Sequence, residues 1–107
     1  MYEDIKDMII YISELNTKEL IRYTKLVNEI IKSNITDESI ISSVFDQLLS
    51  LTFVDELLLK EVYYKLLNYT MVFDEELSID YEKIYIEQFE EDYEEEPITY
   101  KKTNNVK

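Results

Sequence analysis

Residues 36–49 read TDESIISSVFDQLL, and this stretch decides the fold class. Ile40, Ile41, Val44, Phe45, Leu48 and Leu49 recur at the spacing of one face of a 3.6-residue helix. Thr36, Asp37 and Glu38 stand just before them. The Thr36 hydroxyl is suited to cap a helix, and the two acids favour the positive end of the helix dipole.

The same pattern extends outward in both directions. Downstream, Thr52 ahead of Asp55 resembles a capping box. Leu58, Leu59, Val62, Tyr63, Leu66, Leu67 and Thr70 then predict a helix that is apolar over most of its circumference and central in the fold. It should end by about Val72, because Asp74, Glu75 and Glu76 oppose the negative end of a helix dipole. Upstream, Leu20, Thr24, Val27, Ile30 and Ile31 mark a helix that closes near Asn34, a residue able to take the left-handed cap in place of glycine. Before it, Ile5, Met8, Ile9, Ile12 and Leu15 predict a separate helix over residues 3–15, with Asn16-Thr17 as the break.

After Val72, Ser78 is the expected cap of a last helix, with Asp80 in its first turn. A strand over residues 83–89 is the alternative, although Tyr81, Lys83, Tyr85, Glu87 and Phe89 do not alternate cleanly with their neighbours. On a helical wheel Tyr81, Ile84, Tyr85, Phe89 and Tyr93 share one side. Asp80, Glu87, Glu90, Glu91 and Glu94 share the other. Pro97 ends this segment. The expectation is therefore an all-α bundle of four to five helices in a single domain, residues 1–96. Its acidic segment covers 74–96, and a flexible polar tail covers 97–107.

Charge is concentrated at one end. Between Asp74 and Glu96 there are twelve acids and one base, Lys83. Residues 1–73 hold twelve acids and seven bases, and the whole 107-residue chain has a net charge of −13. If residues 79–96 are helical they span roughly 27 Å at ~1.5 Å per residue. The nine carboxylates in that span approach the ~3.4 Å charge spacing of one DNA strand. Such a field attracts basic surfaces and repels nucleic acid and anionic membrane.

Composition removes most chemistry. Cysteine, histidine and glycine are all absent. No disulfide, thiolate metal site, histidine base or glycine-rich phosphate loop can be built. The carboxylates lack the looped spacing of a calcium site, and Ser42, Ser43 and Ser50 have no histidine to activate them. No metal, no cofactor and no catalysis are expected. The acidic start of the chain does not read as a secretion signal, and the apolar stretch from Leu48 to Phe73 is broken by charges, so cytosol is the expected compartment. Lys18, Arg22, Lys25 and Lys32 form a sparse basic line that reads as solvated helix surface.

Ten tyrosines are present. Tyr11, Tyr63, Tyr64 and Tyr69 read as packing residues whose hydroxyls reach the surface. Tyr81, Tyr85 and Tyr93, beside the acids, read as interface residues. The expected partner surface is thus Asp74, Glu75, Glu76, Asp80, Glu87, Glu90, Glu91, Asp92 and Glu94, with Tyr81, Tyr85 and Tyr93. The expected partner is a basic protein surface, such as the groove of a nucleic-acid-handling enzyme, with no direct contact to nucleic acid or membrane. At the level of class this is what a phage counter-defence inhibitor, an anti-CRISPR protein among them, would need. An immunity or antitoxin protein against a basic nuclease uses the same physics. A structural helical module with a solubilising acidic tail is the reading from a different class.

Overall fold

The computed structural model describes residues 2–90. The expectations for Glu91, Asp92, Tyr93 and Glu94 and for the tail 97–107 lie outside the described residues. Four α-helices follow in order: α1 (Tyr2–Lys32), α2 (Glu38–Leu49), α3 (Glu56–Phe73) and α4 (Glu75–Tyr85). A π-helical turn, Ile86–Glu90, continues α4. Among the described residues there is no strand, so the chain is a small all-α bundle.

Asn16-Thr17 does not break the first helix. α1 runs through it as one element of 31 residues. Neither residue is a strong breaker, each costing only about 0.5–0.7 kcal/mol against alanine in a helix interior. Asn16 also gains a tertiary anchor, since its Nδ2 donates to the Thr52 carbonyl at 2.9 Å. The helix stops where expected. Asn34 has φ 56°, and the Ile35 N–H reaches back to the Ile30 carbonyl at 3.0 Å while the Asn34 N–H reaches Ile31 at 3.2 Å. This is a Schellman ending with asparagine in the glycine position.

Each interhelical start moves from the expected hydroxyl to an aspartate. Asp37, not Thr36, accepts from the Ile40 N–H at 3.2 Å. Asp55 accepts from Leu57 and Leu58. Asp74, not Ser78, caps α4 through the Leu77 N–H at 3.2 Å. An ionised carboxylate adds attraction to the helix dipole that a hydroxyl lacks. Asp74 also closes α3, donating its own N–H to the Thr70 carbonyl at 2.8 Å. A single residue therefore turns the corner, and Glu75 and Glu76 fall in a first turn, where their charge is favourable.

The core is one cluster. Leu20, Tyr23, Val27 and Ile30 come from α1, and Ile41, Val44, Phe45 and Leu48 from α2. Leu59, Val62, Tyr63, Leu66 and Leu67 come from α3, which packs against each of the other three helices. Ser78 is buried inside α4, where its hydroxyl donates to the Leu67 carbonyl at 2.9 Å and ties α4 to α3. The first part of α1 lies outside this core, with every residue from Asp4 to Tyr11 exposed.

Phe45 is fully buried. Phe45→Ala should lower unfolding free energy by about 3–5 kcal/mol. Val72→Ala, at a side chain 84% exposed, should stay within about 0.5 kcal/mol. Urea unfolding followed by far-ultraviolet circular dichroism checks both values, against a helical baseline for the parent.

Candidate acidic surface

α4 is held by aromatic contacts. Tyr81 stacks on Phe45 with ring centroids 4.6 Å apart, and Phe45 meets Tyr63 at 5.0 Å. Tyr63 contacts Tyr85 at 4.7 Å, and Tyr85 contacts Phe89 at 4.8 Å. The Tyr63 hydroxyl donates to the Tyr81 carbonyl at 2.6 Å, and the Tyr81 hydroxyl donates to Asp46 at 2.9 Å. Tyr85 is only 3% exposed. Tyr85 is therefore a core residue, which removes it from the expected partner surface. Tyr81 is half-buried, and its hydroxyl is already engaged by Asp46. The aromatic side of α4 faces the bundle because a ring buried against other rings gains more than one left in water.

With that side buried, Glu75, Glu76 and Asp80 of α4 are left exposed, together with Ile79, Lys83 and Ile84. Asp74, Glu76 and Asp80 border a hollow of about 310 Å³, and Glu38 from the first turn of α2 completes its rim with Leu77. Glu76 and Asp80 are one helical turn apart, so they share a face. Glu38 was not among the expected site residues. It belongs to a different helix, remote in sequence from Asp74, and no local pattern signals a contact between the starts of two helices. Glu75 and Glu87 are exposed. Glu90 is not free, because it pairs with Lys60 at 2.8 Å. The π-helical turn also places Gln88 against the Leu49 carbonyl at 2.7 Å and Phe89 against the core.

Only two ion pairs form among the described residues, Lys60–Glu90 and Arg22–Glu19. Among those residues, the four carboxylates around the hollow thus have no base within ion-pairing distance. No group of three or more acids among the described residues is arranged to hold a metal ion. Of the expected basic line, Arg22 is drawn to Glu19 and lies 4.6 Å from the Tyr23 ring. No described helix is long and apolar enough to cross a membrane. In comparisons with known proteins the chain matches no family model, and no curated protein or solved structure is significantly similar to it.

The tyrosines give this region a distinct response to alkali. Burial pushes Tyr64 up to about 12, helped by Glu82, whose carboxylate accepts a hydrogen bond from the Tyr64 hydroxyl at 3.3 Å. Burial raises Tyr63, Tyr81 and Tyr85 as well. Asp46 adds to the effect at Tyr81, and Glu90 and Glu56 add to it at Tyr85. A phenol whose folded-state pKa lies above its unfolded value near ~10 stabilises the fold fully below that pH. The contribution is lost as pH rises through the folded value. Thermal stability should therefore hold up to about pH 10 and fall steadily toward about pH 12 and beyond. Tyr64→Phe should make the decline shallower, as read by melting temperature against pH.

Proposed function

We propose that the protein is a non-catalytic binder whose acidic surface occupies a basic groove on a nucleic-acid-handling partner. The observation that carries this reading is the hollow ringed by Glu38, Asp74, Glu76 and Asp80, carboxylates on two helices with no base paired to them among the described residues. A lysine or arginine from a partner entering the hollow would meet several acceptors at once, in a geometry that the two helix starts hold fixed. The surrounding net charge of −13 would steer a basic surface toward it.

The proposed effect is competition. A groove built to bind phosphates is filled by carboxylates, and nucleic acid is excluded without bond chemistry. Glu75 and Glu87 extend the charged surface beyond the hollow. Tyr85 and Phe89 do not meet the partner in this scheme but hold the acidic helix in place. A phage inhibitor of a host defence nuclease is the biological setting we propose for such a surface.

The test is affinity capture from a lysate at low and high salt, with and without added duplex DNA. Captured nucleic-acid-binding proteins should be released by salt and displaced by DNA. The triple variant Glu38→Gln, Glu76→Gln, Asp80→Asn leaves the Asp74 cap intact, so it should fold normally by circular dichroism. It should bind its partner at least about tenfold more weakly, mainly through slower association. Capture that ignores both DNA and the triple substitution would sink the reading.

A further inference from the structure

The first half of α1 projects beyond the core with an apolar stripe that the described chain leaves largely uncovered, only Ile12 within it being half-buried. Ile5, Met8, Ile9 and Leu15 are exposed, Met8 by 61%, and Tyr11 beside them by 62%. Farther along the same helix, Leu20, Tyr23, Val27 and Ile30 are buried by α2 and α3. The helix therefore presents one long apolar face, of which the bundle covers only the second half. Ile5, Met8, Ile12 and Leu15 follow the alternating three- and four-residue spacing of a two-stranded coiled-coil seam.

We infer that two copies of this chain pair through the first halves of α1, running antiparallel, with Ile5, Met8, Ile12 and Leu15 as the seam. Area and charge both favour this occupant. The exposed stripe with Tyr11 amounts to on the order of 500 Å², at the upper end of what a monomer leaves in one patch. Two such faces give about 1,000 Å², the lower bound for a specific interface.

Charge selects the direction. In an antiparallel pair centred near residue 10, Ile5 lies opposite Leu15 of the second copy, and Met8 lies opposite Ile12. Asp4 and Lys18 flank the seam on one side, and this arrangement brings Asp4 of each copy beside Lys18 of the other. Tyr11 meets its own counterpart at the centre. A parallel pair would place Asp4 beside Ile9 and Tyr11 beside Asn16, with no opposite charges in register. It would also set two chains of net charge −13 side by side in the same orientation. The antiparallel pair separates them by roughly the 27 Å length of a helical arm of about 18 residues, well beyond the ~10 Å screening length at ~0.1 M salt.

This inference does not depend on the acidic surface, and its test does not involve a partner protein. Sedimentation equilibrium of the full chain should show a dimer. Met8→Glu combined with Leu15→Glu should raise the dimer dissociation constant about 10,000-fold, roughly tenfold for each of the four apolar side chains, two per copy, taken from the seam. Both positions are exposed in the single chain, so its circular dichroism should not change. The chain has no cysteine, which gives a clean background for direction. A mixture of Asp4→Cys and Lys18→Cys proteins should form the mixed disulfide under mild oxidation, while Asp4→Cys by itself should not link. A monomer at the highest soluble concentration overturns the inference and leaves the stripe to a different protein. Efficient linking of Asp4→Cys to itself overturns the antiparallel arrangement.

Discussion

The contact between the aromatic side of α4 and the rings of α2 and α3 is the interaction on which the rest of the surface depends. Tyr81 on Phe45, Phe45 on Tyr63, Tyr63 on Tyr85 and Tyr85 on Phe89 form a continuous run of ring contacts. α4 is a short helix of 11 residues rich in acids. A helix of that length is marginal in water without tertiary packing. Burial of its rings offsets that weakness and the repulsion among its carboxylates. It also fixes the helix rotation, so Glu75, Glu76 and Asp80 point outward.

The corner at Asp74 adds a second constraint. One residue ends α3 and starts α4, accepting from Leu77 with its side chain and donating to Thr70 with its backbone. A one-residue corner leaves little freedom in the angle between the two helices, and the buried Ser78 hydroxyl on the Leu67 carbonyl reduces it further. The place where α4 begins is consequently set against the place where α2 begins. That juxtaposition brings Glu38 to Asp74, Glu76 and Asp80. The acidic hollow is a by-product of how helix starts are capped, and the caps themselves are acidic because aspartate suits the positive end of a helix.

α1 shows the opposite situation, a helix longer than the body it packs on. Its 31 residues extend about 46 Å at ~1.5 Å per residue. The 12 residues of α2 and 18 of α3 cannot cover that length. An apolar stripe therefore continues into solvent, while the acidic surface is built by different elements, α2 and α4. The proposed pairing and the proposed binding surface thus use separate parts of the molecule.

Much of the fold was legible in the sequence because it rests on local periodicity. The stripes of α2 and α3, the left-handed ending at Asn34 and the central place of α3 all follow from residues within a few turns of each other. Caps were legible only to within a few residues, since Thr36, Asp37 and Glu38 offer competing acceptors and geometry chooses among them. Asn16-Thr17 misled because a weak local stop signal was overridden by a bond to Thr52, 36 residues away. The acidity of the last segment was plain in the sequence, as was the absence of cysteine, histidine and glycine chemistry. The side on which Tyr85 would lie was not, because a ring beside acids suits an interface or a core equally well until its neighbours are known. Sequence by itself determined which faces are apolar and which are charged. Only the tertiary structure decided which apolar face found a partner within the chain, because that depends on long-range packing that no local pattern encodes.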